Sequence, residues 1–325
     1  MTQTGKKLLL LKPRGFCAGV VRAIDIVRIA LETFGAPIYV RREIVHNRYV
    51  VDDLSSKGAI FVNEIDEVPE GARVIYSAHG VAPEVRAQSK ARGLRVIDAT
   101  CPLVTKVHVE ASKFAKQGYS ILLIGHRDHE EVVGTLGEAP DVTQVVGSPE
   151  EVASLTVPDP NKVAYVTQTT LSLDEAGAII KALKQKFPNI HEPPAQDICY
   201  ATENRQVAVK QVAGDTDLLL VVGSVNSSNS NRLVEVARNL GRASHLIDSY
   251  TDIKPEWLEG VNTVSLTAGA SAPEVLVKEV IEFLAAKGFT DVEEVEVMPE
   301  NVRFGLPAEI VKAIASAPAP AAAAH

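Results

Sequence analysis

The chain of 325 residues has only three cysteines, Cys17, Cys101 and Cys199, too few and too widely spaced for a disulfide scaffold or a compact zinc knuckle. An odd count leaves at least one thiol without an intramolecular partner, and scarce cysteine fits a reducing compartment, so the expected location is the cytoplasm. No apolar run reaches the roughly 18 to 20 residues that cross a bilayer, and the apolar stretch near the start is shorter than a signal peptide requires. Basic excess is also missing. With 33 Lys+Arg against 41 Asp+Glu the net charge is −8, which excludes a nucleic-acid surface built on clustered cations. The absence of a G-x-x-x-x-G-K-[ST] run argues against a nucleoside triphosphate site. Apolar residues, by contrast, make up 46% of the chain, enough for a sizeable core and, at this length, about two or three domains.

Short apolar runs recur: KLLLL, APIYV, RVIYS, RVIDA, SILLIG, KVAYVT, DLLLVVG and TVSLT. Most lead into helical periodicity that ends near a glycine, which predicts an α/β protein with mainly parallel sheets. The segment after Cys17 puts Val20, Val21, Ile24, Val27, Leu31 and Phe34 on one expected face and stops at Gly35. Pro102 suits the first position of the helix after Cys101, and Ser172 with Glu175 has capping-box spacing. SAHGVAPEV (77–85) lines up with TAGASAPEV (267–275), and GHRDHEE (125–131) more loosely with GSVNSSN (223–229), pairing His129 with Ser227 and Glu131 with Asn229. Each cysteine opens a helical stretch. Three related α/β domains follow as an expectation: 14–100, 101–197, and 198–300 with strand 7–13, then a C-terminal arm at 301–325.

In open parallel sheets, ligands bind where strands lead into helix N-termini. His46, His79, His129, Glu131, Thr169, Ser227, Ser228, Asn229 and Ser271 all fall at such places. If the three domains converge, the thiols can share a metal. A zinc ion with an open position, an iron–sulfur cluster with one iron free of protein ligand, and three unrelated buried thiols all remain open on spacing alone. The histidines, hydroxyls and amide suit an anion at helix N-termini, with a diphosphate matching the donor count. Glu131 is the carboxyl placed to act as an acid, with Glu130 as its neighbour and competitor. His108, His126, His191, His245 and His325 lack such company and are assigned structural roles.

PRGFCAGVVRAI, REIVHNRYVV, YSAHGVAPEV, DATCPLVTKVH, GHRDHEE, VTQTTLS, DICYATENRQ, GSVNSSNSNRL and LTAGASAPE, in this order over about residues 8 to 300, resemble the 4-hydroxy-3-methylbut-2-enyl diphosphate reductase (IspH/LytB) family. The resemblance implies a three-domain trefoil around a [4Fe–4S] cluster on Cys17, Cys101 and Cys199. It implies a diphosphate held by His46, His79, His129, Ser227, Ser228, Asn229 and Ser271. Thr169 would contact the substrate hydroxyl and Glu131 would supply the proton that lets it leave as water. Electrons would come from a ferredoxin or flavodoxin, and the products would be isopentenyl and dimethylallyl diphosphate, at the last step of the non-mevalonate isoprenoid pathway. Two features depart from the family. Position 130 is glutamate where proline is more frequent, and the end, SAPAPAAAAH, is low-complexity and expected to be disordered. A cluster-bearing hydro-lyase, a zinc hydrolase and a non-enzymatic diphosphate binder are the competing readings.

Overall fold

A computed structural model describes residues 5–316, so the stretch from Ala317 in SAPAPAAAAH, with His325, lies outside the described residues. The first part runs β1 (Lys7–Lys12), α1 (Ala18–Phe34), β2 (Ile38–Arg41), α2 (Arg48–Ser56), β3 (Ala59–Val62), β4 (Arg73–Tyr76), α3 (Pro83–Ala91) and β5 (Arg95–Asp98). Next come α4 (Pro102–Lys116), β6 (Ser120–Ile124), α5 (Glu130–Gly137), β7 (Thr143–Val146), β8 (Val163–Thr167) and α6 (Leu173–Lys186). The last part is α7 (Tyr200–Val212), β9 (Leu218–Val222), α8 (Ser228–Asn239), β10 (Ala243–Ile247), β11 (Thr263–Ala268), α9 (Glu274–Ala286), β12 (Asp291–Glu296) and α10 (Ala308–Ser316).

The strands form three sheets, ordered β10-β9-β11-β1-β12, β3-β2-β4-β5 and β7-β6-β8. Every ladder between these strands is parallel, as the strand–helix alternation requires. Central strands are apolar on both faces: LLLVV of β9 is buried throughout, and so are the last four residues of SILLI in β6. The strands with no counterpart among the predicted runs, β3, β7, β10 and β12, all lie at sheet edges. An edge strand has one partner and needs less apolar sequence. β12 reads DVEEVE and is held on β1 partly by Lys7–Glu293 at 2.7 Å and Lys12–Glu294 at 2.6 Å.

Two local expectations change. The buried face of α1 is centred on Ala23, Ile24, Ile26, Val27 and Ala30, which let the helix approach the sheet closely, while Val21 and Phe34 are exposed. Phe34 is covered by the Arg73 guanidinium at 3.4 Å from the ring centre. At α6 only half of the capping box forms: Ser172 Oγ accepts from Glu175 N–H at 3.5 Å, but the Glu175 carboxylate turns to Arg232 at 3.0 Å.

After β12 the C-terminal arm returns across the molecule. Ile310 of α10 is fully buried in the core formed by α1, β2 and β4, with Leu306 against it. Glu300 meets Arg205, which has no exposed surface; Arg205 Nη1 donates to Ala201 O at 2.8 Å and Nη2 to Gly15 O at 2.7 Å. Arg22 holds the arm further on, with Nε donating to Gly305 O at 2.7 Å and Nη1 to Thr100 O at 3.0 Å. Removing one member of a buried pair strands the other charge. Glu300→Ala should therefore destabilise the fold by about 3 to 5 kcal/mol, read as a lowered urea midpoint, whereas a loss under about 1 kcal/mol would mean that water reaches Arg205.

Candidate active site

The three cysteines occupy equivalent places. Each is the N-cap residue of a helix, Cys17 of α1, Cys101 of α4 and Cys199 of α7, so the positive end of a helix dipole faces each sulfur. Their backbone N–H groups are all used: Cys17 donates to Ala270 O at 3.2 Å, Cys101 to Ala78 O at 2.9 Å and Cys199 to Thr169 O at 3.0 Å. All three are free thiols on the wall of one cavity of about 110 Å³. Burial, then the neighbouring Cys17, pushes the Cys101 thiol up to about 12, and the same two causes push Cys199 up to about 11. Cationic charge placed beside Cys101 and Cys199 would favour their thiolates near neutral pH.

Spacing separates the metal alternatives. The three sulfurs do not all lie within 4.8 Å of one another; among the described residues the donor set meeting that distance is His46, His79 and Glu130. A single tetrahedral zinc, with bonds of about 2.3 Å, would need its sulfurs about 3.8 Å apart. As they stand, the three sulfurs do not match a single tetrahedral ion bound by all of them. Gly19, in the first turn of α1, keeps the space open: a Cβ there would lie 2.7 Å from Cys101 Sγ and 3.9 Å from Cys17 Sγ. Gly15, by contrast, serves the turn itself, at φ +66°.

All nine remaining candidates line the same cavity: His46, His79, His129, Glu131, Thr169, Ser227, Ser228, Asn229 and Ser271. His46 and His79, from the loops after β2 and β4, stack with ring centres 4.0 Å apart, and His129 stands edge-on at 5.9 and 6.0 Å. His129 N-caps α5, its Nδ1 accepting from Glu131 N–H at 3.2 Å, which leaves the ring proton on Nε2. Burial and the two neighbouring histidines lower His129 to about 3. Ser227 N-caps α8, and Ser228 and Asn229 begin that helix, where unpaired N–H groups favour an anion. Ser271 Oγ donates to His46 O at 2.9 Å and lies 3.4 Å from Ser227 Oγ, joining the two sides of the cradle. Asn229 accepts from Ala270 N–H at 2.9 Å, on the residue that anchors Cys17.

Glu131 sits beyond His129 and is only 2% exposed. Its carboxyl accepts from Thr169 N–H and, at 2.9 Å, from Thr169 Oγ1. Burial raises it to about 7, against the pull of the two Thr169 hydrogen bonds and with help from Asp197. The group is therefore a neutral acid below about pH 7 and a carboxylate above, in contact with a hydroxyl that can pass on its proton.

Several neighbours carry weaker sequence signals. Thr202, three residues after Cys199, puts its hydroxyl 3.2 Å from that sulfur, the spacing of a helix first turn. Glu43, three residues before His46, meets its Nδ1 at 3.0 Å. Phe304 reaches the cavity from the C-terminal arm with no local motif to announce it. His108, His126, His191 and His245 are absent from the lining; His108 pairs with Glu138 at 2.9 Å. Infrared difference spectroscopy on the native protein should show a carboxylic acid C=O band that titrates near pH 7 and disappears in Glu131→Gln; a Glu131 band titrating near its ordinary 4.5 would mean that water reaches the carboxyl.

The comparisons with known proteins fit this architecture. A model of the LytB protein family matches residues 8–285. The 4-hydroxy-3-methylbut-2-enyl diphosphate reductase of Mycolicibacterium gilvum (strain PYR-GCK) is 60% identical over 307 residues, covering 94% of this chain and 92% of that protein. The protein of the same name from Streptomyces coelicolor (strain ATCC BAA-471 / A3(2) / M145) is 57% identical over 94% of this chain and 91% of its own length. The solved structure of the E-1-hydroxy-2-methyl-but-2-enyl-4-diphosphate reductase from Plasmodium falciparum superposes with a TM-score of 0.93 at 42% identity, covering 96% of this chain and 98% of that one. A second solved (E)-4-hydroxy-3-methyl-but-2-enyl diphosphate reductase, described as the terminal enzyme of the non-mevalonate pathway, gives 0.61 at 30% identity over 86% of this chain and 99% of its own. With three parallel sheets meeting around this cavity and a family match along most of its length, the chain belongs to the LytB family.

Proposed function

We propose that this protein reduces 4-hydroxy-3-methylbut-2-enyl diphosphate to isopentenyl and dimethylallyl diphosphate, the terminal reaction of the non-mevalonate pathway. The observation that carries this reading is one cavity lined by a buried acid, Glu131 bonded to Thr169, together with three thiols and an anion cradle. The reaction consumes two electrons and two protons; a C–O bond breaks, a C–H bond forms, and water leaves.

Cys17, Cys101 and Cys199 would hold a [4Fe–4S] cluster, for which the wide sulfur spacing and the Gly19 gap leave room. Bound there, the cluster would supply the electrons and a Lewis-acidic iron without a cysteine ligand. His46, His79, His129, Ser227, Ser228, Asn229 and Ser271 bind the diphosphate and fix the allylic chain against the thiol end. Thr169 faces the hydroxyl, and Glu131, neutral up to about pH 7, gives the proton that turns a poor leaving group into water. A ferredoxin or flavodoxin is the proposed electron donor. Free cysteines support a cytoplasmic setting, and among the described residues no helix is long and apolar enough to cross a membrane. We also infer folding units at 14–100, 101–197, and 198–300 with 7–13, supported by one sheet falling within each.

The test is anaerobic. Purified protein should be brown, carry about four irons per chain and consume the substrate only with an external reductant, and Cys17→Ser should lose most of the iron. A colourless protein after iron and sulfide reconstitution would remove this reading. Glu131→Gln should bind the substrate with nearly unchanged affinity yet lose turnover by about 10²-fold or more, because the carboxyl supplies a proton rather than binding energy. Near-normal turnover would take Glu131 out of the mechanism.

A further inference from the structure

Glu130 is the charged group beside the cavity that the proposed reaction leaves without a role. It is the first residue of α5, next to the N-cap His129, and a carboxylate there gains from the helix dipole. Its Oε2 is buried and has no hydrogen-bond partner, yet lies 3.4 Å from His79 Nδ1. A buried carboxylate oxygen without a donor is costly unless a positive charge faces it.

The loop after β2 repeats the arrangement. Glu43 Oε2 meets His46 Nδ1 at 3.0 Å, and the two imidazoles stack at 4.0 Å with 21° between their planes. Two glutamate–histidine pairs therefore lie back to back on one wall of the cradle. In His79, Nδ1 is bonded to Ser77 Oγ at 3.2 Å and faces Glu130 at 3.4 Å, which leaves Nε2 as the nitrogen available to a ligand.

We propose that Glu130 is a positioning residue of the diphosphate cradle: it orients His79 so that Nε2 serves the phosphates, and it supplies the counter-charge that lets this imidazole carry a proton when the anion arrives. The proposal rests on the diphosphate reading of the cavity. The charged and titratable groups facing the pair are His46 and Glu43 from the loop after β2, His129 from the start of α5, and Arg42, which acts on Glu130. Burial and His46 push His79 below its ordinary range, while Glu130 and Glu43 push it back up. Burial pushes Glu130 up, but His79, His46 and Arg42 outweigh it and keep the carboxyl below its ordinary range, so Glu130 stays ionised at neutral pH.

Glu130 then acts in two opposed ways. It favours the protonated His79, which attracts diphosphate, and its own charge repels diphosphate. In alkaline solution the first effect dominates, because His79 without Glu130 would stay neutral. In acid His79 is protonated with or without Glu130 once the anion binds, and only the repulsion remains. The affinity curves of the native protein and a neutral variant must therefore cross.

Titration calorimetry of inorganic diphosphate into the anaerobic holoprotein reads this directly, for the native chain, Glu130→Gln and Glu130→Pro. Proline fits the first helical position, so the second variant keeps the test open if the first folds poorly. At about pH 8.5 both variants should bind about three- to tenfold more weakly than the native protein, and at about pH 6 equally well or up to about threefold more tightly, the scale set by tenfold per pKa unit. Heats in two buffers of different ionisation enthalpy should show fewer protons taken up per diphosphate in the variants at the alkaline end. Affinities displaced by the same factor at every pH would assign Glu130 a structural role and overturn the proposal, as would tighter binding at every pH. Native binding that needs added Zn²⁺, with the need lost in Glu130→Gln, would make His46, His79 and Glu130 a metal site and overturn it too. A native protein that binds no diphosphate at any pH would overturn the functional reading itself, and this inference with it.

Discussion

Three backbone hydrogen bonds determine the site. Each cysteine gives its N–H to a carbonyl in a loop that also carries a cradle residue: Cys17 to Ala270 beside Ser271, Cys101 to Ala78 beside His79, and Cys199 to Thr169 itself. No thiol can move without moving the residue expected to bind or protonate the substrate. The distance between each thiol and the polar side chains of its partner loop is thus held by backbone contacts between segments far apart in sequence. Such contacts are short and directional, and in a dry cavity they are expensive to break. Asn229, accepting from Ala270 N–H, ties the start of α8 to the same joint.

Burial acts on four titratable groups of the cavity in one direction, toward the uncharged form. Cys101 and Cys199 are raised to about 12 and about 11, Glu131 is raised to about 7 and His129 is lowered to about 3. Those four groups are uncharged near neutral pH or close to it. A charge placed among them would meet little screening and would alter their protonation. Glu131 lines the same cavity bonded to Thr169 rather than to a cation, and this keeps its proton available.

The motifs made the site largely legible. Twelve candidates singled out at strand-to-helix turns and helix starts all line one cavity. Central strands were equally readable, because burial on both faces demands continuous apolar runs. Edge strands were readable only in part, RVIDA of β5 and KVAYVT of β8 but not the other four: DVEEVE of β12 carries a charge pattern suited to solvent, and its strand character comes from the ladder with β1, whose partner residues lie some 284 positions earlier in the register Lys7↔Asp291. The exposed Val21 and Phe34 show the same limit on helices. Periodicity locates a stripe to within about one residue, and the sheet beneath decides which edge of it is covered.

The C-terminal arm was least legible for a physical reason. Its anchors are single residues separated by other sequence, Glu300, Gly305 and Ile310, and each finds its partner in a part of the chain folded long before it in sequence: Arg205, Arg22 and the core of α1. No local spacing encodes such contacts. Their position nonetheless ties the arm to the chemistry, since Arg205 also holds Gly15 O near Cys17 and Ala201 O near Cys199, while Arg22 holds Thr100 O before Cys101. Two arginines thus join the backbone beside all three thiols to one returning segment, which adds Phe304 to the cavity wall. Closure of the cavity and geometry of the thiols are in this way parts of the same packing, and a change in either must be felt by the other.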